Sequence, residues 1–144
     1  MARRGLPTLI RLAKFDVDEK RRVLTTLQTR EDSVVAAMAA AQEELARERQ
    51  VAAADPEGAG LLFGAYAAAW LTRRANMERS LAVLRKEIEK ARDELAEAFR
   101  QQKTYEITQA NRERRAREEA DRKEQAALDE IGLNLYRRRE KEDG

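Results

Sequence analysis

With 144 residues, 39% of them charged and 5% aromatic, the chain has enough material for one domain and little for a bulky core. It has no cysteine and no histidine, which excludes disulfides and thiolate metal sites and removes the usual general base and commonest metal ligand. Its 29 basic and 27 acidic residues leave a net charge of +2, a mixed surface unlike the one-sign field of a dedicated nucleic-acid binder.

These absences set the first expectations. The only serines, Ser33 and Ser80, have no nucleophile motif around them, and no glycine-rich phosphate loop is present. Neither catalysis, a cofactor nor a metal is expected. The longest uncharged runs, around Ser33–Gln42 and Ala59–Thr72, fall short of the roughly 20 residues that cross a bilayer. Met1-Ala2-Arg3-Arg4 is basic, but no continuous apolar stretch comes after it before Asp16, so a secretory signal is not expected. A transit peptide would fit the amphipathic start, yet Leu6 to Leu27 already keep the register of the residues beyond them.

That register is a heptad ladder. Leu6, Ile10, Ala13, Val17, Lys20, Leu24, Leu27, Glu31, Val34, Met38, Ala41, Leu45, Glu48 and Ala52 alternate steps of four and three. Such spacing keeps one stripe on one side of a helix that winds around a partner. It predicts a first helix over about 6–53, with Pro7 tolerated in the first turn. At 1.5 Å per residue this helix would be roughly 70 Å long.

The breaker cluster Asp55-Pro56-Glu57-Gly58-Ala59-Gly60 comes next, predicting a turn at about 54–60. Asp55 could cap the next helix with Pro56 in its first turn, or the turn could extend to Gly60 with Leu61 starting the helix. Gly58, Gly60 and Gly64 would make this the most deformable end.

A second ladder runs through Trp70, Arg74, Met77, Leu81, Leu84, Ile88, Ala91, Leu95, Ala98, Gln102 and Tyr105, within a second helix over about 61–139. Folding the chain back at Pro56 and Glu57 puts residue i opposite roughly residue 113 minus i, and Leu6 opposite Ile107. The apolar ladder of the second helix stops where the first helix runs out. This favours an antiparallel hairpin within one chain over a parallel dimer. The expected fold is therefore all-α: two long helices in a single antiparallel coiled-coil hairpin spanning 1–144. Alanine-rich seams bury little area, so at roughly 25 cal/mol per Å² the core should be thin.

Beyond Thr108 the composition changes. Residues 109–125 read QANRERRAREEADRKEQ, helix-forming but almost devoid of large apolar groups. The second helix should overhang its partner by about 30 residues, roughly 45 Å. Apolar residues return at Leu128, Ile131, Leu133, Leu135 and Tyr136, before Arg137-Arg138-Arg139 and a mixed-charge tail.

Four features invite a functional reading beside a plain structural one. Lys20, Glu31, Glu48, Arg74 and Gln102 interrupt the seam; they either snorkel at its edges or fix register for a partner. Arg3 and Arg4 fall near Arg112, Arg114, Arg115 and Arg117 at the open end. They form either a solvated face paired with Glu113, Glu118, Glu119 and Asp121, or a basic collar for an acidic protein surface. Phe63, Tyr66 and Trp70 cluster near the turn, either stapling the hairpin or anchoring a partner. The patch of Leu128, Ile131 and Leu135 with Tyr136 has no partner within the hairpin, which points to binding.

The order of features resembles the flagellar FliJ family, the small stalk proteins of the flagellar type III export apparatus. The resemblance covers nearly the whole chain. It is clearest in Leu9-Ile10-Arg11-Leu12-Ala13-Lys14-Phe15-Asp16-Val17-Asp18-Glu19-Lys20-Arg21, and in Leu128-Asp129-Glu130-Ile131 with the basic run Arg137-Arg138-Arg139. It implies an antiparallel coiled coil like the shaft of rotary ATPases, inserted in the export ATPase ring and coupling hydrolysis to the membrane export gate. It also implies binding to export chaperones, a role in flagellum biogenesis and motility, and a cytoplasmic location peripheral to the inner face of the cell membrane. Tyr66 and Trp70 fall in the stretch similar to the family's gate-contacting surface, and Arg74 departs from its aromatic-then-leucine pattern. Two other readings remain open: a helical nucleic-acid-binding arm using the same arginines on phosphates, and a generic helical chaperone or scaffold.

Overall fold

A computed structural model describes the backbone of residues 2–144 and the side chains of residues 5–144. Two helices account for nearly all of it. Helix α1 spans Ala2–Ala54, 53 residues, and α2 spans Ala59–Asp143, 85 residues. There is no strand among the described residues. Alanine, leucine, arginine, glutamate, lysine and glutamine dominate both helices, and each favours helix intrinsically. The helices form an antiparallel hairpin, as the heptad ladders predict.

Helix α1 begins earlier than the ladder suggests, so Pro7 lies inside it and not in its first turn. Proline there offers no N–H to the carbonyl one turn back. Pro7 is exposed, so water can serve that carbonyl.

The turn is organised by Asp55. Its carboxylate oxygens accept the Gly58 N–H at 3.1 Å and the Ala59 N–H at 3.3 Å, and its carbonyl accepts the Gly60 N–H at 2.8 Å. Asp55 thus caps the tight turn that leads into α2, and regular helix begins at Ala59, between the two starts the sequence leaves open. No described residue has positive φ, so the turn glycines supply space and not handedness. A Cβ on Gly60 would press on the carbonyl oxygens of Ala52 at 3.1 Å and Asp55 at 3.2 Å; on Gly58 it would run into the Asp55 carboxylate.

The chain divides into two compact units: Lys14–Phe99, and Met1–Ala13 with Arg100–Gly144. In Lys14–Phe99 the buried side chains are Val17, Leu27, Ala41, Leu45, Trp70, Leu81, Ile88, Ala91 and Ala98. Leu27 packs with Ile88 and Ala91, flanked by Leu24 and Leu84. Ala41, Leu45 and Trp70 form a second cluster with Phe63, Tyr66 and Met77 around it. These pairings lie close to the 113-minus-i rule. In the other unit the buried residues are Leu6, Ile10 and Ala13. Every buried residue stands on a heptad ladder. No side chain is completely enclosed among the described residues, as expected for a seam between only two helices.

Candidate partner-binding surfaces

Near the turn, hydrogen bonds decide what the aromatic residues do. Trp70 is 5% exposed and donates its Nε1–H to the Ala41 carbonyl at 2.8 Å. It is held between the helices and is not the exposed anchor that the sequence leaves possible. Tyr66 is half-buried; its hydroxyl donates to Glu44 Oε1 at 2.9 Å, while Arg73 donates to Glu44 Oε2 at 3.1 Å. One carboxylate on α1 therefore clamps two residues on α2. The hydrogen bond from Tyr66, and then that from Arg73, hold the Glu44 carboxyl below its ordinary range. Loss of water contact, and then the bond to Glu44, push the Tyr66 hydroxyl up.

Around this cluster, Leu61 is 77% and Leu62 73% exposed at the start of α2. They form the apolar surface that the turn region offers outward.

The polar seam residues mostly pair across the helices. Lys20 reaches Glu94 at 4.0 Å, and Arg85 donates to Glu31 at 3.3 Å. Arg74 donates to Gln42 and to Glu78 at 3.0 Å each and stacks its guanidinium 5.4 Å from the Trp70 ring centroid. Gln102 turns along its own helix to Glu106 at 2.9 Å. Glu48 and Arg74 are exposed despite their ladder positions, because long charged side chains carry their heads out to water.

At the start of α1 an open groove of about 670 Å³ runs between Leu6 and Pro7 on one side and Gln109, Arg112, Glu113, Arg115, Ala116, Glu119 and Arg122 on the other. Leu6 thus faces α2 slightly later than the folding-back rule places it. Ile107 is 58% exposed and is not its partner. The reason is periodicity: the protected stripe continues through Tyr105 and Gln109, and Ile107, two residues on from Tyr105, points about 200° away from it.

The described arginines of this end do not share one face, and they alternate with Glu113, Glu118 and Glu119. Arg112 and Arg115 line the groove, whereas Arg114 and Arg117 lie on other faces of the same turn pair. Arg114 sits 3.9 Å from Glu118 in an exposed pair, and Arg112 also has an interaction within the chain. The side chains of Arg3 and Arg4, assigned to the same end from sequence, lie outside the described residues. Farther along α2, Leu128, Ile131, Leu133, Leu135 and Tyr136 all keep more than half of their surface in water.

Two elements escape sequence reasoning. Glu44 and Arg73 lie off the ladders, and only cross-helix register brings them together; the folding-back rule puts residue 44 near residue 69 and could have found them. The apolar floor of the groove, Leu6 and Ala116, is hidden because Ala116 sits in a highly charged run. Among the described residues no acidic cluster could hold a metal ion, and no helix is long and apolar enough to cross a membrane.

The family model described as "Flagellar FliJ protein" matches residues 3–141. No curated protein and no solved structure matches the chain.

Proposed function

The chain belongs to the flagellar FliJ protein family, and on that premise we propose that it is a non-enzymatic coupling element of the flagellar export apparatus. Membership supports an export-related role; the assignment of ends to partners is the proposal. The arginine-rich end binds the ring of the export ATPase, and the turn end meets the membrane export gate. Export chaperones dock on the same chain. It works as a single unit in the cytoplasm, at the inner face of the cell membrane.

One observation carries the ATPase assignment: Arg112 and Arg115 border a groove floored by Leu6 and Ala116, with Arg114 and Arg117 exposed around them. The slot has an apolar floor and a mixed rim in which Arg112, Arg115 and Arg122 outnumber Glu113 and Glu119, and this suits a helical or looped protein surface bearing carboxylates. The exposed pair of Arg114 with Glu118 is worth at most about 1 kcal/mol, so a partner's carboxylate can replace it. At the other end, Trp70 supports the surface from beneath, and Leu61, Leu62 and the edge of Tyr66 form the gate contact.

The test is charge reversal. A chain carrying Arg114→Glu and Arg115→Glu should keep its helicity by circular dichroism yet bind the export ATPase at least about tenfold more weakly and lose its stimulation of hydrolysis. Full stimulation by that variant would rule the assignment out.

A further inference from the structure

The apolar patch near the end of α2 belongs to a longer, ordered pattern. Asp121, Glu124, Leu128, Ile131, Leu135, Arg138 and Glu142 succeed one another in alternating steps of three and four, so they share one stripe of the helix. Leu128, Ile131 and Leu135 are each more than half exposed. Gly132 adjoins the middle of the stripe, and nothing lies within 4 Å of where its Cβ would stand. From Glu124 to Arg138 the stripe runs acid, leucine, isoleucine, leucine, base, with a further acid, Asp121 or Glu142, beyond each end.

That order complements itself when reversed. We infer that this stripe is the interface of a homodimer in which two α2 ends pair antiparallel around a two-fold axis at Ile131. Leu128 of each copy then faces Leu135 of the other, and Ile131 meets its own counterpart beside Gly132, where a missing side chain lets the backbones approach. Glu124 of each copy faces Arg138 and Arg139 of the other. A parallel pairing would instead set Glu124 against Glu124 and Arg138 against Arg138, so the charges select the direction. Asp121 opposite Glu142 is the one unfavourable match; it falls on the solvated rim, next to Arg139 and Lys141, where charge effects are small.

Tyr136 lies one residue off the stripe, so each copy contributes three half-exposed aliphatic side chains; this is an interface at the small end of the specific range, and the association is weak and reversible. The inference is independent of the export reading, because both partners are this chain.

Sedimentation equilibrium of the full chain from about 1 to about 500 µM should show a reversible monomer–dimer equilibrium. Ile131→Asp should raise its Kd at least about tenfold, whereas Leu133→Asp, an equal insult to the same helix placed off the stripe, should leave it intact. A chain that stays monomeric throughout, or equal effects of the two substitutions, would overturn the interface. Direction is read by cross-linking, since the chain has no cysteine of its own. Under mild oxidation, a mixture of Glu124→Cys and Arg139→Cys chains should yield the mixed disulfide and neither self-linked species. Self-linking of the Glu124→Cys chain alone would mean parallel pairing and would refute the two-fold at Ile131.

Discussion

Ile88 and Ile131 lie on the same helix and meet opposite environments: Ile88 is 4% exposed and Ile131 56%. Both sit in unbroken α-helix. Helix formation in α2 therefore does not depend on a partner being present, because its alanines, glutamates, lysines and arginines favour helix on their own. What the partner adds is burial, and with it tertiary stability. The paired region Lys14–Phe99 draws on a seam, a Trp70 hydrogen bond and a carboxylate clamp, whereas the far end of α2 draws on local propensity and short-range ion pairs such as Arg122–Glu119 at 3.2 Å. One region holds itself together; the other leaves its apolar side chains in water.

The largest expected difference lies at Trp70. Replacing it with alanine removes the biggest buried side chain and leaves the Ala41 carbonyl without that donor; a loss of about 3–5 kcal/mol is expected in urea unfolding followed by circular dichroism. Leu133→Ala, on the unpaired stretch, should stay within about 0.5 kcal/mol in the same experiment. Similar losses at the two sites would erase the distinction between the regions.

A smaller effect is expected at the turn. Asp55→Ala deletes the acceptor for the Gly58 and Ala59 N–H groups and should cost about 1 kcal/mol, read as a lower urea midpoint at unchanged slope. No change would mean that the seam alone fixes the reversal.

The smallest effect concerns pH and sharpens the role of the clamp. The native pKa of Glu44 lies below its ordinary value of 4.5, so the folded chain binds this proton less readily than the unfolded one. The stabilisation is complete above 4.5 and fades as pH falls through the lowered native value. Tyr66 behaves oppositely: its native pKa is raised above 10.0, so its share is complete below 10.0 and fades as pH rises through the raised value. Glu44→Gln should flatten the acid limb of the stability profile and leave the unpaired stretch unaffected. An unchanged acid limb would mean that the clamp adds nothing to the paired region.

The seam is legible in the sequence because a four-three rhythm has one structural meaning over so many turns. Period alone places Leu6, Val17, Leu27, Ile88 and Ala98 in the core, where they are found. The start of α1 is not legible, since Pro7 reads as a boundary and the residues before Leu6 carry no periodic signal. Whether Trp70 is buried cannot be read from its ladder position, which it shares with exposed Arg74; an indole N–H that finds a backbone carbonyl one interhelical step away settles it. The Glu44 clamp is hidden because its members are polar, off the stripe and far apart in sequence. The arginine end is visible as composition, but its groove depends on where α1 ends against α2, which periodicity leaves uncertain by about a turn.

The reversal itself is best tested by a distance. Nitroxide labels on cysteines introduced at the exposed positions Arg30 and Lys86 lie on facing stretches of α1 and α2. Helices packed 8–10 Å apart should hold the labels within about 20 Å. If the chain instead continued as one helix through Asp55 and Pro56, 1.5 Å per residue would separate them by roughly 80 Å. A single narrow short-distance population is the expected result; a dominant long-distance population would contradict the hairpin and every surface assigned from it.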